Sequence, residues 1–435
     1  EKLEEIKSKM RELVNSNLPI EKCIVKRKEA INYFKQTTNT SVAANYYYTT
    51  SNYVTLYKLS KMYGYFYSQM PVNTSVFTSF DLKYLGNNEF VLQYPTSDGE
   101  IPSYVEHKKI TEAFNKNYKS AKKLNIFTSS DINKIIAEGK INDIITLNEV
   151  IANNELLDLA SQIAEKKDKV KVVLIAGPSS SGKTSFATRL CIHLKVNNLN
   201  PVSISLDNYF VDRDKTPLDE FGKLDYESIN AINLERFNKD LKDLLEGKKV
   251  QLPRYNFITG KSEAGEILQI EKNQPIILEG IHGLNPVLTA SIPDDEKFKI
   301  YLSALTQLNL DDHNRIPTTD LRLIRRIVRD NQFRGHTAEM TIMGWPSVRR
   351  GEEKNIFPYQ EEADVMFNTA CVYELALLKT YAKPLLEHIG EDSEAYIEAK
   401  RLLKFLQYFV ELDDLSDIPP TAIIREFIGG SKIVD

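Results

Sequence analysis

Hydrophobic and polar positions alternate in two different ways along the 435 residues. In the front part the patterns are short and change often. Leu3, Ile6, Met10 and Leu13 share one face of a helix over residues 1–14. Residues 20–26 alternate as a strand, and residues 28–35 return to a helical period. Residues 39–52 are polar and tyrosine-rich, with Tyr46, Tyr47 and Tyr48 in a row, and read as a loop. Residues 63–70 and 77–94 read as strands around turns at 71–73 and 86–88. Residues 128–167 then turn helical, through Ile132, Ile135, Ile136, Leu156, Leu159 and Ile163, and end in a charged bridge over 166–171.

The second half has a longer rhythm. Apolar runs at 171–176, 202–206, 275–278, 298–302 and 364–368 alternate with helical patterns at 234–246, 320–331 and 371–386. Alternating strands and helices predict a mostly parallel sheet covered by helices. The fold class is therefore α/β behind an α+β front module. A helical pattern over 393–412 and a short tail close the chain. This organisation predicts a front module over 1–125, a helical linker over 126–168, an α/β domain over 169–390 and an extension over 391–435.

Composition narrows the function. Charged residues make up 27%, and 56 basic against 60 acidic side chains give a net charge of −4. A near-neutral balance argues against a protein built to coat nucleic acid. No apolar stretch approaches the ~20 residues of a membrane span. Three scattered cysteines, Cys23, Cys191 and Cys371, fit a reducing, cytoplasmic compartment and lack metal-ligand spacing. Half of the 22 tyrosines fall in the first 95 residues, so the two halves differ in kind. Residue 1 is Glu and already inside a helical pattern, so the chain reads as part of something longer.

The strongest motif lies at 177–184, where Gly177, Pro178, Ser179, Ser180, Ser181, Gly182, Lys183 and Thr184 satisfy G-x-x-x-x-G-K-[ST] between a strand and a helix. Glycines let backbone amides approach an anion, and the helix end turns its amides toward phosphate. Ser185 continues that cradle, Lys183 supplies a point charge, and the Thr184 hydroxyl is a hard ligand for Mg²⁺. ATP and Mg²⁺ are the expected cofactors. Asp207 stands at the end of the 202–206 strand, placed to deprotonate an acceptor or hold Mg²⁺ through water. Glu279, at the end of the 275–278 strand, suits the same ion. Arg322, Arg325, Arg326, Arg329 and Arg334 form a basic run that reads as a phosphate-neutralising lid, with Arg349 and Arg350 as further cations. His282 and His313 are candidates near the cleft.

These pieces together resemble the uridine kinase and phosphoribulokinase family. The matching segments are GPSSSGKT, DNYF at 207–210, PRYNF at 253–257, LEGIHGL at 278–284, DLRLIRRIVRD at 320–330 and ADVMFN at 363–368. The resemblance implies an ATP-dependent kinase acting on a hydroxyl of a nucleoside, uridine or cytidine at the 5′ position. It implies Asp207 as base and Lys183, Arg322 and Arg325 as the main cations. Tyr209, Tyr255, Arg334 and Asp225 (or Asn230) would line the acceptor pocket, and Asp364 would lie near the adenine. The family's base-reading His is replaced by Gly260, and the insert at 337–358 is atypical. A phosphosugar or another small alcohol is thus an alternative acceptor. The small-molecule substrate, absence of a membrane partner and a homo-oligomeric state complete the expectation.

Residues 3–35 and 65–95 resemble the second N-terminal domain of threonyl-tRNA synthetases. His107 and Cys23 are the only such side chains ahead of Cys191 and His193; the family's paired His motif would lie upstream of Glu1 and no second cluster stands where it should, so editing is not expected of this chain. A scaffold or sensor role is expected, with nucleic acid reached, if at all, through this module. A nucleotide-dependent regulatory or tRNA-related binding protein is the alternative to an enzyme. A guanine-reading N-K-x-D motif, which a switch GTPase needs, is absent.

Overall fold

The computed structural model describes residues 2–37, 39–86, 89–96 and 99–434. Glu1, where the first helical pattern begins, and Asn87 and Asn88, in the turn expected over 86–88, lie outside the described residues. The chain divides into two compact units, Glu1–His107 and Lys108–Asp435.

In the first unit, helix α1 (Lys2–Asn15) precedes strand β1 (Ile20–Lys26), α2 (Arg27–Gln36) and α3 (Thr40–Tyr48). Strands β2 (Tyr53–Leu59) and β3 (Met62–Gly64) follow, then the hairpin β4 (Asp81–Gly86) and β5 (Glu89–Gln93). Antiparallel pairing gives the sheet order β1-β2-β3. Its core joins Ala30, Ile31 and Phe34 of α2 to Val42, Ala43 and Tyr46 of α3 and Val54 and Leu56 of β2. The loop expected over 39–52 is thus largely a helix. Val42, Ala43 and Tyr46 recur at helical spacing, and the Tyr46 ring lies 6.1 Å from that of Phe34. The long strands expected around 63–70 and 77–94 are shorter, and Tyr65 and Tyr67 enter the core from irregular backbone.

In the second unit, α4 (Lys108–Leu124), α5 (Ser129–Ala137) and α6 (Ile141–Glu165) lead into β6 (Val172–Ala176), α7 (Lys183–Val196) and β7 (Val202–Ser205). Next come α8 (Leu234–Leu245), the antiparallel hairpin β8 (Val250–Asn256) and β9 (Lys261–Leu268), β10 (Ile276–Glu279) and β11 (Lys297–Ser303). Helices α9 (Thr318–Phe333) and α10 (Ala338–Asn355), strand β12 (Val365–Asn368), α11 (Glu374–Glu387), α12 (Tyr396–Leu406) and the short α13 (Arg425–Ile428) complete it.

The five-stranded sheet has the order β12-β11-β6-β10-β7 and is parallel throughout. Every residue of β6 and β10 is buried, as continuous apolar runs in the middle of a covered sheet should be. All five strands and the helices expected in this half are present. The 337–358 insert is a helix, α10, and the β8–β9 hairpin is an addition that the motif pattern did not announce. Because the strands are parallel, their carboxyl ends open on one side, where α/β sheets bind ligands.

Candidate active site

The site begins where β6 ends. Gly177 to Gly182 turn the chain into α7, and Ser180 adopts φ 61° within that turn. The hydroxyls of Ser180, Ser181 and Ser185 are buried with no hydrogen-bond partner. Orphaned donors beside the amino end of a 14-residue helix suit a polyanion. The Lys183 ammonium donates to the carbonyls of Gly177 (3.0 Å) and Pro178 (3.2 Å). Burial depresses its pKa, against the pull of the Glu279, Asp207 and Glu426 carboxylates.

Asp207 follows β7 in a single 3₁₀ turn, Leu206–Tyr209. Glu279 is the last residue of β10, which pairs with both β6 and β7. Burial and the neighbouring Asp207 carboxylate push Glu279 up to about 7, while Lys183 opposes the shift. Three strand ends thereby bring Lys183, Asp207 and Glu279 within electrostatic reach of one another. Among the described residues no group of three or more His, Cys, Asp or Glu side chains is arranged to hold a metal. The Thr184 hydroxyl with two carboxylates is the smaller donor set that Mg²⁺ accepts when phosphate and water supply the rest.

Helix α9 divides the expected cations into two groups. Arg322 and Arg325 are 1% and 0% exposed. Arg322 makes a bidentate pair with Glu352 of α10 (Nη2 to Oε2, 2.8 Å) and donates to the Ser179 carbonyl at 3.1 Å. Arg325 pairs with Glu374 of α11 (Nη2 to Oε2, 2.9 Å) and donates to the Ser180 carbonyl at 3.2 Å. Both guanidinium groups are therefore held behind the loop, where they fix its backbone. They do not occupy the lid position expected of them.

Arg326 instead donates to the Ser179 hydroxyl at 2.9 Å. With Arg329 and Arg334 it surrounds Asp330 at 3.0–3.5 Å. Burial alone would raise Asp330, but the three arginines outweigh it and hold the carboxyl below its usual range. Arg329 adds to the positive field at Lys183, and Arg334 senses Asp207. These three are the arginines that face the cleft. The sequence places all three in the lid, but it names Arg322 and Arg325, not Arg326 or Arg329, as the main cations.

The expected acceptor residues also separate. Tyr209 is 2% exposed and donates its hydroxyl to Asp240 of α8 at 3.2 Å, with its ring edge-on to Phe237. It belongs to the core, not to an open pocket. Tyr255 on β8 is 4% exposed and packs against Phe210 and Phe257. Asp225 spends one oxygen on the amide of Glu227 at 3.1 Å, which sets the turn after it. Glu227, missed by sequence reasoning, has an Oε2 that is closed to solvent and unpartnered. Burial and then Glu352 push its carboxyl up to about 7, against Arg326 and Lys183. His282 is buried, and His313 lies in a turn organised by Asp311. Gly260, at the position where the family resemblance implies a base-reading His, has φ +69°, and a Cβ there would lie 2.7 Å from Arg213 Nε.

Asp364 does not reach the nucleotide cradle. It precedes β12 and accepts from the Lys299 amide at 2.7 Å, at the amino end of the sheet. The carboxyl end of that strand meets the loop instead, where the Thr369 hydroxyl donates to the Ser181 carbonyl at 2.6 Å. Four strand residues at ~3.3 Å each separate the two ends.

Residues 172–376 match the model of the phosphoribulokinase/uridine kinase family. A uridine kinase from Ligilactobacillus salivarius is 30% identical over 205 residues, covering 47% of this chain and 87% of that protein. The chain belongs to the phosphoribulokinase/uridine kinase family. A second uridine kinase, from Macrococcus caseolyticus, is 31% identical over 202 residues, covering 46% of this chain and 87% of its own. Among solved structures, a possible uridine kinase from Bacillus stearothermophilus is similar at 19% identity and TM-score 0.33, covering 49% of this chain and 100% of that one. This family member is a small-molecule kinase that uses a nucleotide. Among the described residues no helix is long and apolar enough to cross a membrane.

Proposed function

We propose that this kinase transfers the γ-phosphoryl group of ATP to the 5′-hydroxyl of a uridine- or cytidine-type nucleoside in the cytoplasm. The convergence of Lys183, Asp207 and Glu279 at neighbouring strand ends beside the phosphate loop carries this reading. Asp207 takes the proton from the acceptor hydroxyl as its oxygen bonds to the γ-phosphorus. The bond from that phosphorus to the β–γ bridging oxygen breaks, and ADP leaves with the electron pair. Lys183, Arg326 and Arg329 match the negative charge on the transferring oxygens. Mg²⁺, held by Thr184 with Glu279 and, through water, Asp207, would neutralise the phosphate oxygens.

An ADP-release screen over nucleosides and sugar phosphates tests this. Uridine or cytidine should give the highest rate. Asp207→Asn should lower turnover by roughly a hundredfold or more while ATP affinity stays within about threefold. Near-normal turnover in that variant would sink the assignment of the base.

One observation favours a second reading. Arg213 fills the space beside Gly260 and donates to the Phe257 carbonyl at 2.6 Å. A cation at that wall suits an anionic acceptor such as a phosphosugar, and the same screen separates the two. A scaffold or sensor role for the front module is a proposal of the same kind, supported by its compact α+β core.

A further inference from the structure

The C-terminal segment reaches the phosphate loop. The Ser185 amide, in the first turn of α7, donates to Glu426 Oε2 at 3.0 Å. A Cβ built on Gly182, whose φ is +80°, would lie 2.6 Å from Ile423 Cγ2. The backbone around Glu426 is fixed. Ala422, Ile423, Phe427 and Ile428 are all buried, and the Phe427 ring covers the Arg325 guanidinium at 4.7 Å. Arg425 holds the preceding turn through the carbonyls of Leu415 (2.9 Å) and Ile418 (2.7 Å). The Glu426 side chain is only half-buried, and its charge is felt at Lys183 and Glu279.

Backbone amides at this helix start are the ones a phosphate loop offers to the phosphates of its nucleotide. Glu426 thus places a carboxylate on an amide that the donor itself needs. A carboxylate and a phosphate cannot share one N–H, and at that distance they repel. The anchored backbone leaves the carboxylate free to turn aside on its own torsions while the segment stays in place.

We propose that Glu426 is a donor-site residue: a resident anion on the Ser185 amide that an incoming nucleotide phosphate displaces. The proposal rests on ATP as the donor. It makes the segment 419–430, which lies beyond the matched region, part of the nucleotide site. The protein then binds ATP more weakly than its loop allows, and the donor gains the amide only by outcompeting the internal carboxylate.

Calorimetric titration of the full chain with Mg·ATP, and separately with adenosine, tests this. Glu426→Gln keeps the size and an oxygen acceptor but removes the charge. It should bind Mg·ATP roughly three- to thirtyfold more tightly, the range expected for relief of one charge at a helix amino end. Adenosine, which lacks phosphate, should bind the variant and the parent equally. Glu426→Asp should stay within about twofold of the parent for ATP, since the charge remains.

If Glu426 only caps α7, Glu426→Gln lowers the melting temperature without tightening ATP. Unchanged or weaker ATP binding in the folded variant overturns the inference and leaves the donor reading standing, because the parent still binds. Equal tightening of ATP and adenosine also overturns it. Absence of ATP binding in parent and variant alike overturns the donor reading, and this inference with it.

Discussion

Helix α9 sends arginines to both sides of one loop, and the two sides are balanced differently. Behind the loop, Arg322 and Arg325 each meet one carboxylate, Glu352 and Glu374, in sealed bidentate pairs. In front, Arg326, Arg329 and Arg334 share the single carboxylate of Asp330. At the rear each arginine has its own carboxylate, with Glu352 also accepting from Arg349 at 3.3 Å, while the front cluster carries two unmatched positive charges. Neutral pairs in a dry interior hold a backbone, and surplus cations at a cleft await an anion. Arginine content alone does not distinguish the two uses. Stoichiometry of partners and burial do.

The largest effect should come from breaking the sealed side. Arg325→Leu strands the Glu374 carboxylate in the interior and should cost about 3–5 kcal/mol. A fall in the urea midpoint measures it. Pairing it with Glu374→Leu should restore most of the loss, because replacing both partners of a buried pair is often near neutral. If the single variant were as stable as the parent, Arg325 would not anchor the loop.

The front side should respond in the opposite currency. Arg329→Ala removes a cation that faces Lys183 but spans no sealed interface; its side chain is 12% exposed. Phosphoryl transfer should fall by roughly a hundredfold, with the urea midpoint little changed. A large loss of stability with intact turnover would erase the difference between the two sides.

How much of this arrangement was legible in sequence follows from where its parts lie. The β6–loop–α7 unit is local: an apolar run, two glycines at fixed spacing and a helical period stand within 25 residues of one another. The five strands were legible for the same reason. The partners of the rear arginines were not, because Glu352 and Glu374 lie 30 and 49 residues away in sequence. Nothing local marks either glutamate as the one that turns inward. Glu426 is farther still, 241 residues from the amide it occupies. Asp364 shows the converse error. Its motif was recognised, but strand direction sends the useful end of β12 to Thr369. Residues 40–48 looked like a loop because three tyrosines masked the helical spacing of Val42, Ala43 and Tyr46.

His282 feels the charge of Lys183 yet behaves like the sealed side. It is 1% exposed, and burial pushes its imidazole down to about 4 from an ordinary value of 6.5. The unfolded chain binds a proton at this residue between those values, so stability is lost as pH falls from about 6.5 toward 4. At pH 5.5 the penalty should be about 1.4 kcal/mol. Melting temperatures at pH 7.5 and 5.5 read it out, and His282→Asn should show a smaller acid shift than the parent. An equal shift in both would place the acid sensitivity elsewhere.

Tyr209 gives the mildest test of the same boundary, since sequence placed it in the acceptor pocket and the structure ties it to α8. Its phenol donates to Asp240, which Arg236 also approaches at 3.5 Å. Burial and that carboxylate hold the Tyr209 proton on, with the pKa well above the usual phenol range. Tyr209→Phe keeps the ring on Phe237 and removes only the hydrogen bond. It should cost about 1 kcal/mol of folding stability, as one buried neutral-to-charged bond does when its acceptor keeps another partner. The KM for the acceptor should stay within about twofold. A tenfold rise in that KM with unchanged stability would return Tyr209 to the pocket and move the line between sealed and open residues by one side chain.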